Sequence, residues 1–226
     1  MFYFDTGYLL IMVISMALGA ITQGYIKSQY SRWSQVPLST GETGADVARR
    51  MLRDEGASEV GITRVAGELT DFYDPRDNQL HLSDANLSGG SVASAAVACH
   101  EAGHAVQTAR GYMPIKIRSA LVPVVNITSN TWMILFFIGI FLRMTGLINL
   151  ALVLFAFSVL FHLVTLPVEI DASRRAVKYI SSAGLTAEAE QGARSVLTAA
   201  ALTYVAAALI SILQLLYYMG IARRND

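Results

Sequence analysis

Four long apolar runs punctuate the chain, at residues 8–26, 127–142, 147–166 and 199–220. A bilayer core takes about 20 residues of helix to cross, so each run reads as a transmembrane helix. Only residues 143–146 separate the second run from the third, which predicts a tight helical hairpin. The first run has a rival reading as a signal peptide. Residues 1–7 carry Asp5 and no Lys or Arg, whereas Lys27 and Arg32 follow the run, so it reads as an uncleaved anchor.

The polar stretches carry shorter periods. Residues 44–55 place Val47, Met51 and Leu52 on one helical side and Arg49, Arg50 and Arg53 elsewhere, with Gly56 suited to end the helix. Residues 60–65, 69–73 and 79–82 read as three short strands. The last two are joined by Asp74-Pro75-Arg76-Asp77-Asn78, in which Pro sets φ and Asp and Asn bond their own backbone. A helix capped by Ser88 or Ser91 then runs to about 109, where Gly111 and Pro114 stop it. Residues 167–184 read as a second amphipathic helix, with Pro167 expected to kink or end the third span. Thr186 reads as the N-cap of the helix that carries the fourth span.

Composition supports a membrane protein. Hydrophobic residues make up 54% and charged residues 15% of 226, the latter well under the roughly 25% of soluble domains, and the mean hydropathy is +0.45. A formal net charge of zero gives no argument for a nucleic-acid partner. With Cys99 the single cysteine, no intrachain disulfide can form. The expected organisation is one membrane-integrated domain over residues 1–226, mainly α-helical with a short β-sheet. Its polar segments, 27–126 and 167–198, lie on one side of the bilayer. They hold 14 of the 17 Lys and Arg residues, so they are expected in the cytoplasm, with the chain a multi-pass protein of the cytoplasmic membrane.

The chemistry concentrates in His100-Glu101-Ala102-Gly103-His104. On a helix, residues four apart share a face, so both imidazoles can bind one metal ion. Glu101, about 100° round the helix, is placed to take a proton from a water that the metal activates. Gly103 in mid-helix costs ~1 kcal/mol against Ala; it falls on the metal face, where a side chain would crowd the ligands or a facing helix. The bland alternative is a pair of hydrogen-bonded core histidines. A third ligand must come from the same side of the membrane. Glu169 follows two crossings later and is the first choice; Asp171 is the second, with helix-end pairing to Arg174 or Arg175, or orientation of a ligand histidine, as its other readings. Gln107 could touch substrate or a ligand carboxylate, or be a polar helix-end residue. Cys99 reads as a small buried residue. His81 could steady an oxyanion or be an exposed strand histidine. His162 lies inside the third span, where it could serve metal ligation, ligand support or proton handling, or helix–helix hydrogen bonding.

Three blocks, His100 to Gln107, Leu69-Thr70-Asp71-Phe72-Tyr73-Asp74-Pro75-Arg76 and Leu166-Pro167-Val168-Glu169-Ile170-Asp171-Ala172-Ser173-Arg174-Arg175-Ala176, together resemble the YugP-type bacterial membrane zinc metallopeptidases. The similarity covers nearly the whole chain. That family is similar in plan to the HtpX and CAAX-processing proteases, in which an acid usually follows the ligand glutamate by four residues; here that position is Ser173. The resemblance implies a gluzincin-like catalytic region in which His100, His104 and Glu169 bind one Zn²⁺ and Glu101 is the general base. The expected activity is membrane endopeptidase, acting on peptides or membrane proteins, with the oligomeric state open. A catalytically inactive metal-binding adaptor or chaperone is the alternative. A metal or small-solute transporter is disfavoured, because the second and fourth runs hold few polar residues.

Overall fold

The computed structural model describes residues 6–224; Asp5, which weighed against a signal peptide, lies outside them. The described elements run in the order α1 (Thr6–Ser34), α2 (Gly44–Asp54), β1 (Gly61–Val65), β2 (Phe72–Asp74), β3 (Gln79–Ser83), α3 (Asp84–Leu87), α4 (Val92–Ala109), α5 (Met113–Phe141), α6 (Thr145–Ser182) and α7 (Ala187–Arg224). The protein is mainly helical with one small mixed sheet. Helices α1, α5, α6 and α7 are long and apolar enough to cross a membrane, so the chain is a multi-pass membrane protein.

Each apolar run sits inside a longer helix. Hydropathy marks the part that lipid can cover, whereas the helix continues wherever it keeps a face to bury. α6 is the clearest case. Pro167 removes one N–H donor, yet the helix runs on to Ser182. Beyond the proline, Val168, Ala172, Ala176, Tyr179 and Ile180 repeat at helical spacing and are buried. Residues 167–182 are therefore a continuation of the third apolar helix and not a separate one.

The chain forms two compact units. One comprises residues 22–115 and 167–202. Its core joins Val47, Met51 and Leu52 of α2, Leu80 and Leu82 of β3, Ala96, Ala102 and Val106 of α4, and Ala176 and Ile180 of α6. Helix α2 begins with a reciprocal cap: Thr43 accepts from the Asp46 N–H and Asp46 accepts from the Thr43 N–H. Helix α4 begins at Ser91, whose hydroxyl accepts from the Ser94 N–H. It ends where Gly111 turns left-handed (φ +66), with Tyr112 N–H on the Gln107 carbonyl and Gly111 N–H on that of Thr108.

The sheet in this unit has the order β1-β3-β2, with β1 parallel and β2 antiparallel to β3. Strand β2 is shorter than its hydrophobic pattern suggests. Leu69 adopts φ +55 and Thr70 Oγ1 donates to the Ala66 carbonyl, so residues 66–71 form a turn before pairing begins at Phe72. The β2–β3 turn follows expectation: Asp74 accepts from the Arg76 N–H and Asp77 from the Gln79 N–H.

The other unit comprises the described parts of residues 1–21 and 203–226 with residues 116–166. An aromatic cluster holds it: Trp132 stacks on Phe155 at 4.3 Å, and Tyr218 meets Trp132 and Phe136 at 5.3 and 5.0 Å. Helices α5 and α6 form the expected tight hairpin, closed by Arg143 at φ +54 and by Met144 N–H on the Gly139 carbonyl. Its outer surface stays apolar and exposed, as at Ile127 and Phe141, which suits contact with acyl chains.

Candidate metal centre

Helix α4 supplies three of the four candidate residues. Its first half, Val92 to Cys99, is almost all small and apolar and is nearly all buried, so the helix is fixed before His100 is reached. His100, Glu101 and His104 are themselves buried. Burying three ionisable groups without compensation is costly. The compensation comes from α6, where Glu169 is 2% exposed. Its carboxylate lies 3.2 Å from His100 Nε2 and 3.6 Å from His104 Nε2. The two rings stand edge-to-face with centroids 4.7 Å apart.

The approach of the helices depends on Gly103. A Cβ there would lie 2.8 Å from the Ala172 carbonyl oxygen and 3.1 Å from the Ala172 Cα. The mid-helix glycine thus meets a facing helix, three residues beyond Glu169.

The far side of each imidazole is held. Gln107, fully buried, donates through Nε2 to the Val168 carbonyl at 2.8 Å and to Asp171 at 2.9 Å. Both partners are acceptors, so the amide can turn only its oxygen toward His104 Nδ1, 3.1 Å away. His104 Nδ1 must then carry the proton, which leaves the Nε2 lone pair facing Glu169. Ser173 Oγ lies 3.1 Å from His100 Nδ1 and frees that ring's Nε2 in the same way when it accepts. Asp171 receives Arg175 Nε at 2.6 Å. It therefore acts on His104 through Gln107, not by direct contact.

Two imidazole nitrogens and a carboxylate pointed at one another repel unless a proton or cation lies between them. Burial alone would raise Glu169; the two histidines outweigh it and hold the carboxyl well below its usual range. Burial would depress His104; hydrogen bonding and charge from Glu169 outweigh it and raise the ring above its usual value. The same polarity that retains a proton here would retain a divalent cation. One ligand atom from each of His100, His104 and Glu169 can be chosen so that all lie within 4.8 Å of one another. Two neutral imidazoles and a carboxylate are a donor set suited to zinc, so the residues fit that ion.

Glu101 is separate from this trio. Burial raises its carboxyl above the ordinary range, partly offset by His100 and His104. Its Oε2 accepts the backbone N–H of Tyr73 at 3.1 Å. Tyr73 lies on β2, which pairs with β3 alone, so this N–H points off the sheet's open edge toward the carboxylate.

The remaining candidates lie elsewhere. His81 bonds Asp77 at 2.9 Å and stacks on Phe72 at 4.5 Å. His162 is on α6 beside Phe161 and outside the metal-ligating group. Cys99 is buried and its thiol is pushed up to about 12 by burial. Two contributors escaped sequence reasoning. Ser173 stood out only as the wrong residue at an acid's position, and the Tyr73 N–H has no side-chain signature at all.

Comparison with known proteins points to the same metal. Residues 8–223 match the model of the family described as "Putative neutral zinc metallopeptidase". The chain belongs to this family. The cofactor that membership implies is Zn²⁺, and the family's substrates are peptides. A curated relative, "Putative membrane protease YugP" of Bacillus subtilis (strain 168), is 40% identical over 215 residues, covering 95% of this chain and 96% of its own. No solved structure matches the chain.

Proposed function

We propose that this family member is an integral membrane zinc endopeptidase in which His100, His104 and Glu169 hold the metal and Glu101 is the general base. The observation that carries the reading is the convergence of both Nε2 atoms on the Glu169 carboxylate, which lies 69 residues beyond His100 in the chain. When bound, zinc supplies Lewis acidity, which activates water and polarises a scissile carbonyl.

The chain's own residues do the rest. Gln107 and Ser173 hold the two rings so that Nε2 faces inward. Glu101 accepts the proton of the attacking water and passes it to the leaving amine. Its raised carboxyl strengthens it as a base and suits the return of the proton. The open edge of β2 binds the substrate as an added strand, because the bond from the Tyr73 N–H, in the middle of the strand, sets that edge against Glu101. The buried, mostly apolar walls of α4 exclude bulk water.

Substrates are membrane proteins or their exposed ends, and the centre faces the cytoplasm. Two facts support that side: 14 of 17 Lys and Arg residues lie in segments 27–126 and 167–198, and the candidate ligands lie in those same segments.

The test is metal analysis and cleavage of a model membrane substrate by wild type and Glu101→Gln. Zinc at one per chain in both, with cleavage lost only in the variant, is the expected result. Equal cleavage by both removes Glu101 as base; zinc and function retained with no cleavage by wild type support the metal-binding adaptor. Protease accessibility of tags in segment 27–126 in sealed inverted vesicles decides the side.

A further inference from the structure

A groove of about 600 Å³ runs between α6 and α7, lined by residues 170–182 of the first helix and 190–201 of the second. Its floor is apolar, with Ile170, Val177, Leu197 and Ala201. Its rim is basic, with Arg174, Lys178 and Arg194. Glu190, the single acid in the lining, is already engaged by Arg194 at 2.9 Å and by the Ser181 hydroxyl at 2.8 Å. Arg174 and Lys178 are exposed and have no ion pair or hydrogen bond among the described residues. By contrast Arg49, Arg50, Arg64, Arg76, Arg110 and Arg175 each pair with a carboxylate. The groove thus offers two free cations above an apolar floor.

Its place in the chain selects the occupant. The apolar runs of α6 and α7 end at 166 and begin at 199, so Ile170 and Ala201 lie within about a turn of the bilayer's hydrocarbon. At 1.5 Å per residue, the backbone of Arg174 lies about 12 Å and that of Lys178 about 18 Å beyond residue 166 along the helix, and side chains on a helix lean back toward its N-terminus, here toward the bilayer. The polar headgroup layer is roughly 5–8 Å deep on each side. The long Arg174 and Lys178 side chains reach from there back toward the outer edge of that layer, above an apolar floor, which suits a phosphate attached to a glycerol and acyl chains. We infer that the α6–α7 groove is a binding site for an anionic phospholipid, with its phosphate on Arg174 and Lys178 and its glycerol and proximal acyl carbons on the Ile170 and Ala201 end. Ser173 lines the same groove and lies 3.1 Å from His100 Nδ1. The lipid therefore packs against a side chain that orients a candidate ligand, on the face of α6 adjoining Glu169.

The test uses the full chain in nanodiscs of phosphatidylcholine, with or without phosphatidylglycerol, and a photoactivatable phosphatidylglycerol as probe. Wild type is expected to retain phosphatidylglycerol over phosphatidylcholine, and cross-links should map to residues 170–201. Arg174→Gln with Lys178→Gln should weaken retention about fivefold per cation removed, roughly 25-fold together. Arg49→Gln with Arg53→Gln, an equal charge loss on α2, should leave it unchanged, and zinc content reports folding of each variant. The inference fails if wild type shows no preference between the two lipids, if cross-links fall outside this segment, or if the α2 pair weakens retention equally. It also fails if lipid retention is indifferent to the groove variant while an acidic peptide loses affinity, which would make the groove a peptide site. The wild-type cross-linking map decides the matter even if the groove variant does not fold.

Discussion

Gln107 faces His104 with its oxygen, not its nitrogen. The Val168 carbonyl and Asp171 take both amide protons, at 2.8 and 2.9 Å, and Arg175 closes the chain on Asp171 at 2.6 Å. A polarity set on α6 thus decides which nitrogen of His104 is free. Gln107→Leu leaves His104 Nδ1–H without an acceptor and frees the ring to turn or change tautomer. Zinc affinity should fall about 10–100-fold, measured by competition with a chelator. Asp171→Asn should cost less, since Val168 still anchors the amide. An unchanged affinity in Gln107→Leu would show that the ring is oriented by the metal alone.

Gly103 of α4 packs against the Ala172 backbone of α6 near the centre. A methyl group at 103 would sit 2.8 Å from a backbone oxygen, which cannot swing aside as a side chain can. Gly103→Ala should therefore separate the helices in spite of its better helix propensity. The expected loss is about 1–3 kcal/mol of stability, seen as a lower melting temperature, together with weaker zinc binding because Glu169 retreats from the histidines. A variant that melts higher and keeps its zinc affinity would mean that the contact relaxes at little cost.

Sequence reasoning reached the parts of the centre that side-chain spacing encodes. His100 and His104 are visible because four residues make about one helical turn, and Glu169 because a ligand must return to the same side of the bilayer. The structure brings these three together. What escaped was set by backbone and by tertiary contact. The weight given to Pro167 hid the continuity of α6, because a buried face downstream outweighs one missing hydrogen bond. The hydrophobicity of Leu69 predicts a strand, whereas its positive φ puts it in a turn. Ser173 could be noticed but not assigned, because a hydroxyl at that position signals nothing until His100 is seen beside it.

Cys99 lies next to His100 in the chain yet points into the core of α4 and α2. It has no measurable exposure, and its thiol is pushed up to about 12 by burial. Reactivity requires both access and thiolate, and the folded protein provides neither at neutral pH. A maleimide should leave Cys99 unlabelled in the native protein and label it fully in denaturant, with mass spectrometry as the readout. Labelling that proceeds at the same rate in both conditions would contradict the packing of α4 described above.

Tyr73 and Glu101 test whether the sheet edge belongs to the chemistry. The Tyr73 N–H is the hydrogen-bond donor that the described residues direct at the Glu101 carboxylate. It points off the open edge of β2, where a missing N–H costs the ladder nothing. Tyr73→Pro therefore deletes this bond, together with the ring and its hydroxyl bond to Asn78, while leaving the β2–β3 ladder intact; Tyr73→Ala, which loses the same ring but keeps the N–H, is the control. A hydrogen bond to a charged group contributes about 1.5–3 kcal/mol, so kcat should fall roughly 10–100-fold while zinc stoichiometry stays at the wild-type value. Tyr73→Phe, which keeps the N–H and removes only the hydroxyl on Asn78, should retain most of the activity. If the proline variant cleaves as well as wild type, Glu101 needs no help from the edge strand, and β2 serves packing alone. If instead KM rises with kcat unchanged, the edge binds substrate without positioning the base. A fall in kcat confined to the proline variant ties the sheet edge and the general base into one device.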